Sequence, residues 1–113
     1  MNVKEWLEKG TNLTWKELRY IKSPPLPYEI FIDELVYRGA DELNNIIEHN
    51  ISLEHYSENI DSTNEKIIED FLDEEELHFE KNREWLNEEE LYVTVYSLET
   101  FLEKVRKEGI ENA

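Results

Sequence analysis

The chain has 113 residues, a length that fits one domain with a real core, and its 39% hydrophobic and 12% aromatic content argues for a folded protein rather than a disordered one. It carries 28 acids against 12 Lys and Arg, a formal net charge of −16; such a surface repels nucleic acid and anionic lipid and attracts a basic partner. With no cysteine, disulfides and thiolate chemistry are excluded, and no apolar run approaches the roughly 20 residues of a membrane span.

No apolar leader follows Met1, so the expected location is cytoplasmic, with no membrane partner. The charge is unevenly placed. Residues 1–27 carry five cations and three acids, whereas residues 28–113 carry seven cations and twenty-five acids. The whole chain, 1–113, reads as a single domain with a mildly basic N-terminal helical arm (1–27) and an acidic body (28–113).

In chain order, Asn2 with Glu5 has the spacing of a capping box for a helix ending at Gly10. Thr14 and Glu17, flanked by Leu13 and Leu18, predict a second helix with Trp15, Leu18 and Ile21 inward. Pro24, Pro25 and Pro27 stop it. Tyr28, Phe31, Ile32, Leu35 and Val36 follow the i, i+3, i+4, i+7, i+8 pattern of an amphipathic helix, with a short strand over Tyr28–Ile32 as the rival reading. Asp41 to His49 and a turn from Ser52 predict two more short helices, and Ser62 with Glu65 caps the strongest acidic one, with Ile67, Ile68, Phe71 and Leu72 inward. That pattern breaks near Glu74, because Glu75 would point into the apolar face; Leu77 and Phe79 begin a new element.

Leu91 to Tyr96 is the one clear strand, with Leu91, Val93 and Val95 alternating against Tyr92, Thr94 and Tyr96. Its partner is residues 28–32, residues 77–80, or the same strand of a second copy in a homodimer. Ser97 then caps a last helix carrying Leu98, Phe101, Leu102 and Val105, closed by a Schellman motif at Gly109. The expected fold class is therefore mainly α, or α+β: a compact bundle of five to seven short helices with a minor strand element near 91–96.

No constellation points to catalysis, a cofactor or a metal. Glu75-x-x-His78 has one half of a di-iron ligand pattern and lacks its second copy. Asp61-x-Thr63-x-Glu65 lacks the glycine and the final glutamate of a calcium loop. His49, His55 and His78 have no ligand spacing. Trp6, Trp15 and Trp85 sit beside leucines, as core residues do.

The distinctive feature is the carboxylate run. Residues 65–90 hold twelve acids against three cations. The expectation is a non-enzymatic interaction protein that blocks the basic nucleic-acid-binding surface of a partner. The partner contacts would be Glu65, Glu69, Asp70, Asp73, Glu74, Glu75, Glu76 and Glu80, with Tyr92 and Tyr96 on the outer face of the strand. In size and charge alone the chain is similar to small acidic phage-encoded anti-restriction and anti-CRISPR inhibitors that act as nucleic-acid mimics; no motif is shared. Alternatives are an antitoxin or immunity protein covering a basic nuclease, and a structural or assembly protein whose acids only solubilise it.

Overall fold

A computed structural model describes residues 1–39 and 44–106. It corrects the expected fold class: the protein is a six-stranded mixed sheet carrying two short helices, not a helical bundle. The elements run α1 (Val3–Thr11), β1 (Trp15–Glu17), β2 (Tyr28–Gly39), β3 (Asn44–Ser57), α2 (Ser62–Glu74), β4 (Phe79–Leu86), β5 (Leu91–Leu98) and β6 (Phe101–Arg106). The strand order is β1-β2-β3-β5-β4, with β6 also on β3. Every pairing is antiparallel except β1 with β2.

β3 is the central strand. One edge pairs with β2 from Tyr28↔Tyr56 to Gly39↔Asn45. The other edge pairs with β5 over Ser52–Ser57 and with β6 over Asn44–His49. Between Ser52↔Ser97 and His49↔Phe101, β3 has two residues where the opposing chain has three, Leu98, Glu99 and Thr100. That extra residue is a bulge, which bends what would otherwise be one long strand into β5 and β6.

The register defines two faces. Phe31, Leu53 and Tyr96 lie in one row, with Ile51 and Leu98 beside them. Against this face pack Val3 and Leu7 of α1 and Ile68, Phe71 and Leu72 of α2, forming the core with Trp15. Among the described residues the opposite face carries no helix. Its rows read Tyr28–Tyr56–Val93–Glu84 and Ile30–Glu54–Val95–Asn82, and Tyr28 stacks on Tyr56 at 4.8 Å between ring centroids.

Each misread helix has a physical reason. In β2 both faces carry apolar side chains, so Tyr28, Phe31, Ile32, Leu35 and Val36 satisfy a helical period as well as a strand's. The same holds for Leu98, Phe101 and Leu102, which lie in β5 and β6 rather than a terminal helix. The helix expected over Asp41–His49 is instead the start of β3 from Asn44 on, and Asp41–Leu43 lie outside the described residues, as does the motif at Gly109. The helix expected from Thr14 is replaced by β1: Ile21 is fully exposed and Leu18 takes a left-handed backbone, φ 66°. A helix so soon cut off by prolines is marginal by itself, whereas Trp15 becomes buried and its indole donates to Thr11 Oγ1 at 2.9 Å. The N-terminal arm is thus part of the core rather than an appendage. Trp85, by contrast, is 45% exposed.

α1 is capped by Asn2, as its spacing predicts, with the side chain accepting from Glu5 N–H. Gly10 does not terminate it; Asn12 takes the left-handed cap at φ 61°. Gly10 sits in the last turn because Phe71 of α2 presses against it, and a Cβ there would lie 2.0 Å from the ring. Alanine in place of a helical glycine ordinarily stabilises by about 1 kcal/mol. Here Gly10→Ala is expected to destabilise, by roughly 1–3 kcal/mol of overpacking, and a urea melt showing a raised midpoint would refute the close approach.

Candidate functional site

α2 divides the acids into two populations. Its N-cap is Asp61, one residue before the expected Ser62, accepting from Asn64 N–H at 3.1 Å. The helix ends at Glu74, where the apolar pattern breaks. Its inner face includes Glu65 together with Ile68, Phe71 and Leu72, while Ile67 is only half-buried.

Glu65 is 2% exposed. Its carboxylate accepts from Thr94 Oγ1 at 3.1 Å, pairs with Lys81 Nζ at 2.7 Å and is clasped by the Arg83 guanidinium. Glu69 accepts from Lys81 and from the hydroxyl of Tyr96. Burial opposes ionisation of Glu65 and is the largest single influence, but the bonds and charges of Arg83 and Lys81 together outweigh it and hold the carboxyl below its ordinary range. Burial, then the bond to Glu69, pushes the Tyr96 phenol up. Alternation places Lys81 and Arg83 of β4 on the helix-covered face, in register with Tyr96 and Thr94.

The polar row continues across the sheet as Arg83–Thr94–His55–Glu29. His55 is fully buried, with Nδ1 3.4 Å from Glu29, and Asn64 of α2 reaches Glu29 from above. His55 Nε2 and Ser57 Oγ are buried without a hydrogen-bond partner among the described residues. His49 lies further along β3, with Nδ1 2.7 Å from Asp33 and Nε2 2.8 Å from Glu103. Each ring nitrogen thus faces a carboxylate oxygen, and an ionised carboxylate only accepts. Glu103 also meets the Met1 ammonium at 2.6 Å; that bond first, then His49, holds its carboxyl below the usual range. Among the described residues no three His, Asp or Glu side chains are arranged to hold a metal ion.

The second population is outward. Asp70, Asp73, Glu74, Glu75 and Glu76 are exposed. Lys66 pairs with Asp70, Trp6 donates to Glu75 at 2.9 Å, and among the described residues no cation pairs with Asp73, Glu74 or Glu76. These acids crowd the C-terminal turn of α2, which holds no basic residue. The helix dipole is negative at that end, so carboxylates there are unfavourable. Glu76 is also held left-handed, φ 56°, at the position that usually takes glycine. Glu76 N–H bonds Asp73 C=O and Leu77 N–H bonds Leu72 C=O, which is a Schellman motif built without glycine.

The residues expected to meet a partner are therefore dispersed. Glu65 and Tyr96 are inside, and Glu69 is engaged in holding β4 to α2. Glu80 projects from the sheet face opposite the helices, away from Asp73–Glu76. Tyr92 and Tyr96 do face away from Val93 and Val95, but theirs is the face that α2 covers, and Tyr92 is half-buried against Trp85. The inward Glu65 was visible as a position: with Ile68 and Leu72 it makes i, i+3, i+7. The partners Lys81 and Arg83 and the buried His49 and His55 carried no local signal beyond strand alternation.

No protein-family model matches this sequence, and a search of curated proteins finds no significant match.

Two measurements follow from this geometry. A carboxyl whose folded value is depressed contributes stability above the unfolded value near 4.3 and loses it as pH falls through the folded value. Urea midpoints should therefore fall more steeply between pH 5 and 3 for the native chain than for Glu65→Gln; parallel slopes would mean that Lys81 and Arg83 do not hold the charge. Glu76→Gly should relieve the left-handed strain and raise stability by about 1 kcal/mol, roughly 4 °C in Tm for a domain of this size, whereas a drop would count against the strained cap.

Proposed function

We propose that this is a non-enzymatic acidic interaction protein of the cytoplasm, whose outward carboxylates at the end of α2 occupy the nucleic-acid-binding surface of a basic protein. The observation that supports this is the division of the acids. The cations of β4 are committed to the inward Glu65 and Glu69, while Asp73, Glu74 and Glu76 lie exposed where the helix dipole disfavours them, and Glu76 in addition takes a left-handed backbone. A cluster that costs stability and pairs with no cation among the described residues fits a surface kept for a partner better than one kept for solubility, which exposed acids at any position would supply. Opposite potentials steer such an encounter, so association is fast and weakens with salt. Glu75 and Asp70 flank the cluster; Glu80 is on the other face and does not belong to it.

The deciding experiment reverses Asp73, Glu74 and Glu76 to Lys together. Each cation at a helix C-terminus is worth about 0.3–1 kcal/mol, so the variant should stay folded with an unchanged or raised Tm. Proteins captured by the native chain from a lysate at low salt should be released by competing duplex DNA or RNA and should not bind the variant. Capture that survives both the reversal and the competitor would reject the nucleic-acid-surface reading.

A further inference from the structure

The helix-covered face does not end at the core. Beyond Phe31 and Ile51, where the start of α1 overhangs β2, β3 and β6, lies an open pocket of about 420 Å³. Its apolar lining includes Phe31, Leu35, Tyr37 and Ile47, and its acidic lining Glu17, Asp33 and Glu103. The acids are not equivalent. Glu103, on the β6 side, is matched by the Met1 ammonium and by His49. Asp33, on the β2 side, gives only Oδ2 to His49; its side chain is 7% exposed, and Oδ1 is buried with no hydrogen-bond partner among the described residues.

Glu17 lies beside it. β1 pairs Glu17 with Phe31, and Asp33 is two residues further along β2 on the same face, a diagonal neighbour roughly 8 Å away along the sheet. Among the described residues no cation pairs with Glu17, and Lys4, which also lines the pocket, pairs with Glu8 at 3.7 Å. Met1 reaches Glu103 two strands away, roughly 10 Å from the β2 side. His49 is shared between Asp33 and Glu103, so the Met1 ammonium gives Glu103 a cation of its own, while among the described residues Asp33 Oδ1 and Glu17 have none.

A carboxylate oxygen only accepts hydrogen bonds, so whatever completes Asp33 must donate. The donor best matched to two carboxylates is a cation, and the adjoining Leu35, Tyr37 and Ile47 suit an apolar stem. We propose that this pocket binds a primary ammonium group carried on an apolar stem, seated between Asp33 and Glu17. The stem lies along Leu35 and Tyr37, which are 41% and 69% exposed and leave the mouth open. The same chemistry is offered by a free alkylamine and by a lysine side chain. This site is separate from the acidic end of α2 and stands or falls independently of it.

Calorimetric and NMR titrations of the full chain in 150 mM NaCl test this with n-pentylammonium, the neutral 1-pentanol and a lysine blocked at both backbone ends. Pentylammonium should bind saturably, with shifts confined to the residues around Asp33 and Tyr37, and pentanol at least tenfold more weakly. Asp33→Asn should weaken the amine at least tenfold. Glu17→Gln, at an exposed position that keeps the fold intact, should weaken it several-fold, while Glu89→Gln in the distant β4–β5 turn should leave it unchanged. Blocked lysine binding as well as pentylammonium assigns the site to a partner's side chain; its exclusion assigns the site to small amines. Equal binding of amine and alcohol, an unchanged affinity in Glu17→Gln, or an equal loss in Glu89→Gln would overturn the proposal, the last because it would mean diffuse attraction to an anionic protein.

Discussion

The structure depends on β3 being hydrogen-bonded along both edges. Its fourteen residues meet β2 on one side and β5 and β6 on the other, so shifting its register by one would turn Ile51, Leu53 and His55 from the covered face to the open one. α1 and α2 reach the sheet because that face offers Phe31, Leu53, Tyr96 and Leu98 in adjoining rows. The bulge at Leu98–Thr100 lets one chain segment serve both halves of β3, carrying Phe101 and Glu103 around toward α1.

The covered face is unusually polar for the interior of a small domain. Glu29, His49, His55, Glu65 and Thr94 are all buried, and a buried charge is tolerated only when paired and hydrogen-bonded. Glu65 meets that condition through Lys81, Arg83 and Thr94, which ties α2 to β4 and β5. This explains how a chain with so few cations can leave an acidic surface bare. The basic residues of β4 are used where burial makes an unpaired carboxylate most costly, and water solvates the rest.

Much of the local detail was readable in the residues themselves. The Asn2 cap, the end of α2 near Glu74 and the strand at Leu91–Tyr96 are all present, because each rests on neighbours in sequence. The strand partner was half-readable: Phe79 and Glu80 begin β4, which pairs with β5 along its whole length, but the other partner, β3, reads as helix and turn in the sequence. In β3 the alternation Ile47, His49, Ile51, Leu53, His55, Ser57 is regular, but two histidines and a serine on the inner face hide it from a count of apolar residues. Of the residues expected at a partner surface, Asp73–Glu76 are outside and Glu65 and Tyr96 are inside; no single strand or helix can report which of its faces another element will cover.

By itself, the sequence determined the net charge, the absence of thiol chemistry, the N-cap of α1, the end of α2, and the alternation of β5. These depend on composition or on residues within a few positions of one another. Only the tertiary structure decided that β2, β3 and β6 are strands, that Lys81 and Arg83 serve Glu65, and that Asp33 and Glu17 share a pocket wall. A strand is stabilised by hydrogen bonds to chain far away in sequence, and when both of its faces carry apolar groups its periodicity does not distinguish it from a helix.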